Sequence, residues 1–383
     1  MSAVSVPEAS AQALRYFRSG NVIWVIELLL GFALPAWLLF TGWSARLRTL
    51  ASGIAHGHSY PTLVVYLVLL AVLLFLVQLP FTVYVGYLRE HAYGLSTQTF
   101  SKFAVDRLKG LAIGLIVGAL IIWVPYLLLA RSPTRWWLWT GLLALPFFTL
   151  VLLITPVYIA PLFNKFGPMK DKALEGQVLA VAARAGVEGA RVFEVNKSVD
   201  TEKVNAYVTG IGRTKRIVLW DTLLARLTPQ ETRFVVGHEL GHYVLGHVWI
   251  NILISWGLTL VGLYGAHRSA GLLLARFGGR FGFTTLADPA SLPLLMLLLS
   301  VFSFAIGPAT LALSRHHERQ ADRFGLDLTR DNHAAATAFV ALQKQNLAVP
   351  RPGLLYKIFR ASHPPIGERV DFINTYRPRP EAP

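Results

Sequence analysis

The chain has 383 residues, 54% of them hydrophobic and only 15% charged, which excludes an ordinary set of soluble domains and makes this a multi-span membrane protein. Its formal charge of +15 sits in the breaks between apolar runs, where Lys and Arg meet lipid head groups and orient helices, so membrane lipid rather than nucleic acid is the expected partner. The absence of cysteine excludes disulfides, thiolate metal ligands and a thiol nucleophile, leaving His, Asp and Glu to hold any metal.

Runs long enough to cross a bilayer come at 21–40, 62–88, 111–130 and 136–159, and two more at about 248–266 and 292–313. The first lacks the basic start, short core and small-residue exit of a cleavable signal and reads as a retained span. Pro35, Pro80, Pro125 and Pro146 inside these runs predict kinks or broken turns whose freed backbone groups need neighbouring helices or enclosed water. The chain then divides into a membrane region of about four spans over 1–160, a water-compatible segment over 161–247, two further spans over 248–313 and a second water-compatible segment over 314–383. If both soluble segments share a side, the even number of spans before the first puts the N-terminus there as well, and the excess there of residues such as Arg15, Arg89, Lys102 and Lys165 predicts that this side is cytoplasmic.

The first soluble segment opens with an amphipathic helix, "DKALEGQVLAVAARAGV", followed by strand-type runs "ARVFEV", "NAYVTGIG" and "RIVLW". Next comes "TPQETRFVVGHELGHYVLGHV". Thr228 as N-cap, Pro229 at the first helical position and Glu231 two residues further on predict a helix with a capping box. On that helix His238 and His242 are four residues apart and share a face, a spacing that suits one tetrahedral ion. Glu239 stands beside them as a base, which completes the H-E-x-x-H pattern of zinc peptidases. His247, five residues past His242, turns roughly 140° away on a continuous helix and reads as an interfacial residue.

With no cysteine the remaining ligand is best supplied by a carboxylate. "LALSRHHERQADRFGLDL" presents Glu318 and Asp322 on one helix face. Spacing alone leaves two readings open: Glu318 ligates and Asp322 orients a ligand histidine, or both pair with Arg315, Arg319 and Arg323 on a solvated helix. His316 and His317 receive no role.

"HELGH" followed by "SRHHERQADRFG" resembles the two motifs of the M48 metallopeptidases. "YLREHAYGLSTQTFSKFAVDRLKG", "IAPLFNKFGPMKDKALEGQV", "VNAYVTGIGRTKRIVLWDTLL" and "FRASHPPIGERVDFI" are similar, in the same order, to the Ste24 branch of CAAX prenyl proteases. The resemblance implies an all-α cage of transmembrane helices around an internal chamber, with a small α+β zincin-like catalytic domain and one Zn²⁺. It implies Glu318 as third ligand, Asp322 as the carboxylate that orients a ligand histidine, His363 as oxyanion donor, and Asn205 with Ala206 as the strand edge that holds an extended peptide. Two departures stand out: six spans where the family has seven, with 41–61 in place of an extra helix, and "SVDTEK" before "NAY".

The expected function is therefore a zinc-dependent membrane endopeptidase acting on a peptide or protein, prenylated if the resemblance extends to substrate. A membrane quality-control peptidase is the alternative, and a non-catalytic transporter or lipid-binding protein with structural zinc the remote one. Compact form and Ala/Arg/Leu-rich composition point to a bacterial inner membrane, or the endoplasmic reticulum membrane for a eukaryotic source, although the terminal "RPEAP" lacks a dilysine-type signal.

Overall fold

The computed structural model describes residues 3–210 and 214–379. Ile211 and Gly212 of "NAYVTGIG" and most of "RPEAP" lie outside the described residues. The N-terminal part is helical: α1 (Ala11–Phe40), α2 (Trp43–Ile54), α3 (Ser59–Val83), α4 (Arg89–Ala92), α5 (Phe100–Arg131) and α6 (Trp136–Ile154). There follow β1 (Phe166–Pro168), α7 (Lys172–Arg184), β2 (Arg191–Val195), β3 (Ala206–Thr209), β4 (Arg216–Trp220), α8 (Asp221–Arg226) and α9 (Pro229–Val244). Two long helices, α10 (His247–Phe281) and α11 (Leu292–Thr329), precede α12 (Asn332–Gln345), α13 (Leu354–Phe359) and α14 (Ile366–Thr375).

Among the described residues six helical stretches are long and apolar enough to cross a membrane: Ala11–Phe40, Ser59–Ala92, Phe100–Arg131, Trp136–Leu162, His247–Phe281 and Pro289–Thr329. They contain the six expected runs and extend past them. Helix persists through Pro35, Pro125 and Pro146. Pro80 lies near the end of α3, just before a π-helical turn at Tyr84–Leu88. Apolar side chains such as Leu29, Leu76, Leu120 and Leu272 face outward, as a lipid-facing surface requires. The stretch 41–61 holds α2, whose 12 residues span only about 18 Å and cannot cross. It packs Leu47 and Ala51 against Tyr66 and Leu70 of α3.

Inside this shell, three cavities of about 460, 460 and 290 Å³ all border Glu27 of α1. Gln78, Thr82, Arg107 and Ser300 line them as well. Polar side chains at that depth are tolerated where they face enclosed water, so these cavities mark the chamber side of the helices.

The catalytic part is built on a four-stranded sheet in the order β1-β2-β4-β3, with β2 and β4 parallel and the outer pairs antiparallel. The three predicted strands form; β1 is additional, three residues containing Gly and Pro with no alternation to read. Ile217, Val218 and Leu219 of the central β4 are fully buried. Against the sheet, Leu174, Val178 and Val181 of α7 join Phe234, Val236 and Leu240 of α9 and Phe339 of α12 in one core. Asp171 caps α7 through Leu174 N–H, and Thr228 with Glu231 forms the expected capping box of α9.

The contact that sets the site is α9 on α11. A Cβ on Gly241 would stand 3.1 Å from Ala321 Cα, and one on Gly325 would stand 3.0 Å from the His238 amide nitrogen. Small residues thus let the two backbones meet. Because α11 is continuous from Leu292 to Thr329, the same rod runs from the membrane to that contact.

Candidate active site and metal centre

One turn of α9 places His238 and His242 so that their Nε2 atoms are 3.3 Å apart and the rings lie edge to face at 4.9 Å. From α11, Glu318 reaches between them, Oε1 3.3 Å from His242 Nε2 and Oε2 3.4 Å from His238 Nε2. These three ligand atoms lie within 4.8 Å of one another. Glu318 Oε2 is buried and has no hydrogen-bond partner, a costly condition that a cation at the shared focus would relieve. Two imidazole nitrogens and one carboxylate oxygen suit a first-row divalent metal.

Behind His238 stands Asp322, fully buried, with Oδ1 accepting from His238 Nδ1 at 3.0 Å. Arg369 of α14 holds the same carboxylate with both arms, Nε donating to Oδ2 at 3.0 Å and Nη2 to Oδ1 at 2.5 Å. Burial opposes the Arg369 charge, but Asp322 and Glu318 outweigh it and raise its pKa further. Burial would likewise lower His238, yet hydrogen bonds to Asp322 and Glu318 push it up to about 9. Burial also pushes the Glu239 carboxyl up, against the pull of His238 and His242.

Glu239 opens into a cavity of about 400 Å³ that is also lined by Asn205, Ala206, Trp220, His363 and Arg369. His363 Nε2 lies 3.2 Å from Glu318 Oε1, with Ser362 Oγ 2.8 Å from its Nδ1. Along one wall runs β3, an edge strand. Trp220 N–H donates to the Asn205 carbonyl, so the Ala206 amide faces the open side, where it is bonded at 2.9 Å by the Asn205 side-chain oxygen. The structure thus gathers all eight residues singled out from the sequence, His238, Glu239, His242, Glu318, Asp322, His363, Asn205 and Ala206, around one cleft. Of the two readings of Glu318 and Asp322, the solvated one fails because both carboxylates are buried beneath α9.

The family model described as peptidase family M48 matches residues 168–377. The chain belongs to peptidase family M48. A second model, the CAAX prenyl protease N-terminal region of five membrane helices, matches residues 4–165, where this M48 peptidase has four spans and the short α2. Among its relatives is the uncharacterized metalloprotease YhfN of Bacillus subtilis, 37% identical over 375 residues, which cover 98% of this chain and 88% of that one. CAAX prenyl protease 1 of Saccharomyces cerevisiae is 29% identical over 80% of this chain and 70% of its own. The crystal structure of S. mikatae Ste24p superposes with a TM-score of 0.81 at 24% identity, over 94% of this chain and 87% of that one. The protein is thus a multi-pass membrane metalloendopeptidase with the Ste24 fold, and its substrates are peptides or proteins.

One residue of this M48 peptidase has no mark in a sequence motif, and a second stands in a setting that helix spacing does not predict. Arg369 falls on the apolar stripe Ile366, Val370, Ile373, at the i+3 position of an amphipathic helix. A lone charge on a buried stripe was the available signal. His247 is the second: it stands at the start of a span, as an interfacial residue would, but its ring is turned to His242 rather than away from it. Helix α9 ends at Val244 and Gly246 turns left-handed, φ 69°, so the continuous-helix geometry no longer applies. The His247 ring is buried and lies 3.0 Å from His242, Nδ1 to Nδ1.

Proposed function

We propose that His238, His242 and Glu318 hold one Zn²⁺ and that the chain cleaves peptide bonds near the end of membrane-tethered substrates. The convergence of these three ligand atoms beside Glu239, on a cleft with an open strand edge, carries the reading. When bound, zinc supplies Lewis-acid polarisation of the scissile carbonyl and acidifies water. Glu239 takes a proton from the attacking water and passes it to the leaving amine, a role that suits a carboxylate beside the ligand His238 and open to the cleft. His363 donates to the carbonyl oxygen as it gains charge. Asp322, locked by Arg369, fixes the tautomer and orientation of His238. The Ala206 amide exchanges its bond to Asn205 for a substrate carbonyl, so the peptide is read mainly through its backbone.

The substrate class that the relatives support is a prenylated CaaX chain end, its lipid taken into the cavities around Glu27. The membrane is a bacterial inner membrane with the catalytic side cytoplasmic, in keeping with the Lys and Arg excess and the Bacillus relative. Mass spectrometry of farnesylated and bare CaaX peptides incubated with the purified protein tests this. Release of the terminal tripeptide from the farnesylated form alone supports the reading. Glu239→Gln should keep one zinc per chain while losing on the order of 10²–10⁴-fold in rate. Cleavage by that variant at the wild-type rate would sink the assignment of the base. Zinc-loaded protein that cuts denatured membrane proteins but neither peptide would move the substrate to protein quality control.

A further inference from the structure

The backs of the two ligand histidines are held by different chemistry. His238 Nδ1 meets a carboxylate, Asp322. His242 Nδ1 meets another imidazole, His247 Nδ1, at 3.0 Å. On the far side of that ring, His247 Nε2 lies 3.0 Å from Gln320 Oε1 of α11. His317, also from α11, stacks on the His247 face with centroids 4.2 Å apart and planes 8° from parallel. Both rings are buried, at 2% and 5% exposure, so the His247 nitrogens have little access to water as a substitute partner.

For two neutral rings, with the Gln320 amide oxygen facing His247, the partners define the tautomers. An amide oxygen only accepts, so His247 Nε2 carries the hydrogen and its Nδ1 carries the lone pair. That lone pair needs a donor, and His242 Nδ1–H is the group facing it. With its proton at Nδ1, His242 has a bare Nε2, the atom aimed at Glu318 and His238. We propose that His247, set by Gln320 and seated on His317, is a positioning residue that holds His242 in its metal-ligating tautomer. Gly246 makes this geometry available, because its left-handed turn returns His247 to a ring that a straight helix would face away from. The inference rests on His242 being a metal ligand.

The test is zinc affinity of the full-length protein in detergent, by competition with a chromophoric chelator, together with the visible spectrum of the Co²⁺-loaded form. His247→Phe keeps the stack and removes both nitrogens; it should weaken zinc binding about 10–100-fold, the usual effect of losing a ligand's supporting partner. Gln320→Leu removes the acceptor and should weaken zinc in the same direction. Gln320→Glu retains an acceptor and should stay within about threefold of wild type. A merely structural role would shift thermal stability equally for both Gln320 variants and leave the Co²⁺ spectrum alone. If His247→Phe fails to fold, the two Gln320 variants decide. Wild-type affinity and spectrum in Gln320→Leu overturn the proposal. A wild-type protein that binds no zinc would instead overturn the metal-centre reading beneath it.

Discussion

The two ends of α11 are packed by different means. At its C-terminal end, Gly325 and Ala321 meet Gly237 and Gly241 of α9 backbone to backbone, and the two buried carboxylates of α11 sit among charged or titratable groups: Glu318 between two histidines, Asp322 between His238 and Arg369. Toward its N-terminal end the helix passes α10 through side chains, Phe302 lying over Gly262, while Val301 is exposed and Phe304 lines one of the cavities beside Glu27. In water the catalytic half can bury a core and hold ligands to fractions of an ångström. In lipid, burial of apolar surface gives no comparable drive, so the spans pack by shape and leave room for cavities. The same helix therefore serves as a fixed ligand mount at one end and a chamber wall at the other.

The largest effect expected from this contrast is at Arg369. Arg369→Met leaves the Asp322 carboxylate buried without its partner, which should cost about 3–5 kcal/mol and strip zinc from His238. Thermal melting in detergent with elemental analysis of the purified variant reads both; unchanged melting and full zinc would break the claim that buried charge organises this half. Next comes Gly325→Ala. The new Cβ meets the His238 backbone, which cannot swing aside, so about 1–3 kcal/mol is lost and turnover falls as His238 is displaced. Smallest is Gly262→Ala, whose Cβ would press on the Phe302 ring at 2.7 Å. That ring can rotate toward lipid, and alanine favours helix, so stability should stay within about 1 kcal/mol and activity be retained. Equal losses at Gly325 and Gly262 would show that the two ends are not packed differently after all.

Much of the site could be read locally. His238, Glu239 and His242 follow from a helix period and a capping box, both of which concern residues within one or two turns. The spans were legible because about 20 apolar residues have few other uses. Glu318 and Asp322 were legible as a pair but not in their role, since four-residue spacing serves a ligand set and a surface ion pair equally. Arg369, 47 residues beyond Asp322, had no local mark except its place on an apolar stripe. The direction of the His247 ring was not legible because one left-handed glycine replaces the straight-helix arithmetic.

By itself, then, the sequence determined what each helix is: its ends, its apolar length and which ligands share a face, since hydrogen bonds between residues four apart set that geometry without outside help. Only the tertiary structure decided which side chains stand behind those ligands. That choice depends on how closely α9 and α11 approach, on the turn at Gly246 and on the docking of α14, contacts between residues far apart in the chain that no local spacing encodes.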